Sequence, residues 1–140
     1  MRLYAGIIPV DGRGRAALQQ RDHKPGIENP GLLTAFGGLA EGAEGAADAA
    51  LREATEELGL RLTSTALHPL LAHEQRMPGS EPTRCVIFRV VVPDAGELRT
   101  AEGAGVVVGV PAELRVRGDL TDTCRRAVEA LHTWGTSRRG

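Results

Sequence analysis

The densest chemistry in the sequence is a run of carboxylates between residues 41 and 57. Glu41, Glu44, Asp48, Glu53, Glu56 and Glu57 are six of the 18 acids, set against the single Arg52. At about 100° per helical residue, Glu53, Glu56 and Glu57 stand at about 0°, 300° and 40°, on one helix face. Ala47, Ala50, Leu51, Ala54 and Leu58 fall between about 60° and 160°, the stripe expected to meet a core. Carboxylates at i, i+3 and i+4 repel one another by about a few tenths of a kcal/mol per pair. They also crowd the last helical turn, where the macrodipole disfavours negative charge. Only Arg52 offsets them. A hard divalent cation with oxygen ligands would relieve both conflicts; a solvated acidic face is the plainer alternative.

Punctuation and periodicity outline the elements that must position this face. Residues 2–10 read as a buried strand, 11–14 as a turn and 16–20 as the second strand of a hairpin. A loop covers 22–31, and residues 32–36 form a short strand ended by Gly37 and Gly38. The acid-bearing helix spans 46–58 and stops at Gly59. Strands follow at 66–74, 83–92 and 106–110, the last closed by Pro111. Residues 120–134 form an amphipathic helix with Cys124, Ala127, Leu131 and Trp134 on one stripe and Asp119 or Thr121 as cap. Strands mixed with two helices indicate a mixed sheet between helices, an α/β or α+β sandwich.

Length and composition narrow the function classes. The 140 residues fit one domain, with 41% hydrophobic and 25% charged residues, which are globular proportions. Tyr4, Phe36, Phe88 and Trp134 are the only aromatics, so the core must come from Ala, Val, Leu and Ile. A net charge of -1 argues against binding a nucleic-acid polymer or a membrane surface. No apolar run approaches the ~18 residues of a membrane span, and no signal-peptide pattern opens the sequence. Cys85 and Cys124 lie outside any CxxC pattern and read as small buried residues, so the cytoplasm is the expected compartment.

The spacing Gly38, Glu44, Arg52-Glu53-Ala54, Glu56-Glu57, Gly59-Leu60 resembles the Nudix box, GX5EX7REUXEEXGU with U apolar, over residues 38–60. The resemblance implies the Nudix fold, an α/β/α sandwich around a mixed β-sheet, over a single domain of residues 1–140. It further implies metal-dependent hydrolysis of a nucleoside diphosphate linked to a further group, water attacking phosphorus with Mg2+ or Mn2+ as cofactor. By the same resemblance Gly37, Glu53, Glu56 and Glu57 would hold metal, and Glu53 would also activate water. Arg52 would orient Glu53; Gly38, Glu44 and Gly59 would shape the box. Arg21, Lys24 and, as a stacking surface, Tyr4 are the substrate-binding candidates. Glu102 resembles a later loop carboxylate that serves some members as base or ligand. The short form and the Phe36-Gly37-Gly38 loop look most like MutT-type nucleoside-triphosphate pyrophosphatases. The markers of the ADP-ribose and dinucleoside-polyphosphate types are absent. Few aromatics imply modest base selectivity. A non-catalytic nucleotide-binding module of the same fold stands as the alternative, and a homodimer is left open because many members pair.

Overall fold

Strand β1 (Arg2–Val10) is the spine of the computed structural model, which describes residues 1–26, 29–76, 78–101, 103 and 105–139, with side chains through 135. It pairs in parallel with β6 (Thr83–Val91) over its whole length, and β5 (His68–Gln75) continues antiparallel beyond β6. The opposite edge of β1 takes β4 (Phe36–Leu39), antiparallel, and meets β2 (Ala16–Gln20) at the 11–14 turn. β2 is itself flanked, antiparallel, by β3 (Leu33–Thr34) and β7 (Gly105–Gly109). The sheet is mixed, as the sequence indicates.

Strand alternation sends successive side chains to opposite faces. Ala5, Ile7 and Ala17 pack with Phe36 against Ala49, Ala50 and Ala54 of α1 (Ala46–Leu58). Ile8, Ala16, Leu18 and Leu33 pack on the other face against Cys124, Ala127, Val128 and Leu131 of α3 (Asp122–Arg139). One helix per face gives the expected α/β/α sandwich. Cys85 and Cys124 are free and buried, and burial pushes the Cys124 thiol up to about 12. Among the described residues no helix is long and apolar enough to cross a membrane.

Four local readings change. The 32–36 strand is two strands with a break at Ala35, and Gly37 and Gly38 lie inside β4 rather than ending a strand. Gly37 stands opposite Gly6, where a Cβ on Gly6 would meet the Phe36 carbonyl at 2.8 Å. These glycines permit close approach of two backbones rather than a turn. Residues 64–66 form a 3-10 turn, so β5 starts at His68; the Thr63 and Thr65 hydroxyls bond each other at 2.8 Å, the local competition that hydroxyl side chains offer to a ladder. Pro111 closes β7 and also opens α2 (Pro111–Leu114), where its missing N–H is harmless. The last helix begins at Asp122, with Thr121 Oγ1 accepting from the Cys124 N–H at 3.2 Å, and continues past Trp134. Trp134 is 41% exposed, under the Arg89 guanidinium at 4.3 Å, because the helix outruns the sheet there.

The 11–14 turn is held by a carboxylate. Asp11 accepts the N–H groups of Arg13, Arg15 and Ala95 at 3.0, 3.1 and 2.9 Å, and the Arg15 guanidinium at 2.9 Å. Burial raises its pKa, but these donors outweigh burial and bring it from 3.8 to about 2. Asp11 therefore stabilises the fold above pH 3.8, and the contribution fades as pH falls towards 2. Asp11→Asn is expected to lower unfolding free energy by about 2 kcal/mol at neutral pH. Urea titrations of the two proteins should converge near the folded-state pKa; equal midpoints at neutral pH would refute the assignment.

Candidate active site

The acids are positioned by how α1 lies on the sheet. Its buried residues are Ala49, Ala50, Glu53 and Ala54, so the helix is rolled towards its acidic edge. Ala47, Leu51 and Leu58 of the expected stripe pack against the same core but are half-buried. Glu53, expected at the wet edge, is 8% exposed. Gly38 makes this possible, since a Cβ there would collide with the Glu53 carboxylate. Gly59, left-handed at φ 67°, ends the helix with its N–H on the Thr55 carbonyl.

Arg52 offsets the acids through more contacts than one charge suggests. Its Nε and Nη2 donate to Glu44 at 2.9 and 3.1 Å. Nη1 donates to Glu53 Oε1 and Glu56 Oε2, each at 3.1 Å, and Nη2 also reaches the Leu39 carbonyl at 3.2 Å. Glu44 Oε1 in turn accepts the Glu41 N–H at 2.8 Å, closing the loop before α1. The Glu44 carboxyl is held below the usual carboxylate range by Arg52. The Glu53 carboxyl is pushed up by burial, against the pull of Arg52.

Glu57 points elsewhere. Its Oε2 accepts from Gln19 Nε2 at 2.9 Å and lies 3.5 Å from Thr100 Oγ1. Neither partner was singled out in the sequence. The available signal for Gln19 is a polar residue on the core-facing side of a short apolar strand; Thr100 carries none. With Glu56 on Arg52 and Glu57 on Gln19, no three His, Cys, Asp or Glu side chains converge on one metal position among the described residues.

The three glutamates nonetheless line one cavity of about 700 Å³ together with Gly37, Arg21 and Lys24. Lys24 Nζ is exposed and 4.0 Å from Asp22. Tyr4 is not in this cavity. It walls an adjoining one of about 250 Å³ that shares Arg21 and Gly37 and includes Gln75, Asp122 and Thr123. The Tyr4 hydroxyl donates to the Ala35 carbonyl at 3.4 Å, and burial raises its pKa. Glu102 lies outside the described residues; its neighbours Ala101 and Gly103 border the acid-lined cavity.

Three comparisons bear on this arrangement. The fold matches the MutT protein from Methanosarcina mazei Go1 with a TM-score of 0.79 at 14% identity, covering 96% of this chain and 94% of that one. The E. coli ORF135 protein matches with a TM-score of 0.73 at 25% identity, covering 99% and 94%. The E. coli dihydroneopterin triphosphate pyrophosphohydrolase matches with a TM-score of 0.72 at 17% identity, covering 91% and 92%. No curated protein matches the sequence. The family model described as the NUDIX domain matches residues 1–122, spanning both halves of the sheet, the box helix and the cap of α3; the chain belongs to that family, the Nudix hydrolases.

Proposed function

We propose that this Nudix hydrolase cleaves a phosphoanhydride bond of a nucleoside triphosphate or similar nucleoside diphosphate derivative, with Mg2+ or Mn2+ as cofactor and residues 1–140 acting as one cytoplasmic domain. The observation that supports the reading best is the shared cavity, which sets Glu53, Glu56, Glu57 and Gly37 beside the cations Arg21 and Lys24. Three carboxylates and a backbone carbonyl are hard oxygen donors, which suits a divalent cation of this class. When bound, that cation supplies neutralising charge to the phosphate oxygens and the leaving group.

The residues of the chain divide the remaining work. Glu53, Glu56 and Glu57 would hold the cation, with the Gly37 carbonyl as a further donor. Glu53, its Oε1 held by Arg52 at 3.1 Å, takes the proton of the attacking water on Oε2. The water oxygen bonds to phosphorus as the bridging P–O bond breaks, and the phosphate-containing group leaves. Arg21 and Lys24 draw the polyphosphate into the cavity. The adjoining cavity walled by Tyr4 takes the nucleoside, and Glu102 serves as a second base or ligand from the following loop.

The test is a panel of nucleotides that includes dihydroneopterin triphosphate and Ap4A, substrates in the names of two structural neighbours. Phosphate or pyrophosphate release should require Mg2+ or Mn2+, stop with a chelator and return when metal is restored. With no exposed aromatic platform among the acids, no nucleotide should exceed the others by about 10³ in kcat/KM, equivalent to about 4 kcal/mol. The absence of metal-dependent turnover on every substrate would favour the non-catalytic module.

A further inference from the structure

Gln19 breaks the pattern of an otherwise apolar strand. It sits on the face of β2 that carries Ala17 towards α1, and only 6% of it is exposed. A primary amide taken out of water there must recover its hydrogen bonds inside the protein. Its Nε2 finds them on Glu57 of α1 and on Thr100 of the segment before β7. Nε2 donates to Glu57 Oε2 at 2.9 Å and to Thr100 Oγ1 at 3.3 Å. Thr100 Oγ1 lies 3.5 Å from the same Glu57 oxygen. The backbone adds a further tie, with the Ala101 N–H on the Glu57 carbonyl at 2.8 Å. A strand on one side and the segment before β7 on the other therefore close on a single carboxylate at the end of the box helix.

We propose that Gln19, supported by Thr100, is a positioning residue for Glu57, setting how that carboxylate faces the acid-lined cavity and so the affinity of the site for a divalent cation. The proposal rests on the reading of Glu57 as a metal ligand. Amide and hydroxyl donors suit this task because they hold a carboxylate without neutralising it. An arginine at position 19 would pair with Glu57 and compete with the cation for its charge. A carboxylate whose Oε2 is already held before the cation arrives has less freedom to lose on binding.

The experiment compares wild type with Gln19→Met, which keeps length and removes the donors, and with Thr100→Val and Thr100→Ser. Mn2+ binding is measured by calorimetry without nucleotide; kcat and KM are measured for the best nucleotide, and thermal midpoints are recorded. Gln19→Met should raise the Mn2+ dissociation constant by about tenfold. It should lower kcat at limiting Mn2+ and leave the nucleotide KM unchanged. Thr100→Val should shift Mn2+ affinity in the same direction, and Thr100→Ser should restore it. Wild-type Mn2+ affinity in both Gln19→Met and Thr100→Val, whatever their thermal midpoints, would overturn the proposal. If Gln19→Met does not fold, the half-buried Thr100 pair decides by the same measure. Wild-type protein that binds Mn2+ but hydrolyses nothing would overturn the hydrolytic reading, while the Mn2+ comparison still decides on Gln19. Wild-type protein that binds no Mn2+ would overturn both.

Discussion

Glu53→Gln is expected to lower kcat by about 10³-fold, within the range general-base groups contribute, while the nucleotide KM changes little. The substitution preserves volume at a position only 8% exposed, and a glutamine oxygen can still accept from Arg52, so the fold should survive. What disappears is a negative charge for the cation and a base for the attacking water. Circular dichroism separates loss of chemistry from loss of structure, and single-turnover kinetics separates the chemical step from product release. A rate equal to wild type would remove Glu53 from the mechanism, whatever the fate of the family assignment.

Arg52→Lys is expected to lower kcat by about 10²-fold and unfolding free energy by about 1–3 kcal/mol, the range for hydrogen bonds to charged groups. The guanidinium reaches Glu44 with two nitrogens, Glu53 and Glu56 with a third, and Leu39 besides. An ammonium is a single point and cannot span the loop before the helix and two turns of the helix at once. The prediction distinguishes orientation from charge, because the charge is conserved. Steady-state kinetics with a urea titration reads both effects. Wild-type kcat in the lysine variant would show that Arg52 only balances charge.

The sequence spoke most clearly where local chemistry decides. The bounds of α1 and its stop at Gly59 were legible because a left-handed cap and an apolar period agree. The hairpin of β1 and β2 was legible from its turn residues. What escaped depended on distant partners. The burial of Glu53 was missed because a wheel cannot see that Gly38, across the space between helix and sheet, leaves room for its carboxylate. Gly37 and Gly38 read as a strand end because glycines usually punctuate; that Gly37 lies inside a strand is explained by Gly6 opposite it. The apparent frustration of the acids dissolved once Arg52 was seen to serve several of them. Gln19 was passed over because its partners stand 38 and 81 positions away. The placing of Tyr4 in an adjoining cavity that shares Arg21 and Gly37 with the acids is likewise set by the sheet and not by local sequence.

The full-length parallel pairing of β1 with β6 also governs the order in which the molecule can assemble. Arg2 meets Thr83 across 81 positions, so β1 has no partner on that edge until its distant partner strand has also been made. At roughly 5–20 residues per second of synthesis, that is a wait of about 4–16 seconds. During it β1, with Ile7 and Ile8 destined for opposite cores, presents an apolar strand with an open edge. Such distant pairing places folding among slow, topology-limited reactions. It also leaves nascent β1 in need of protection from association with other chains.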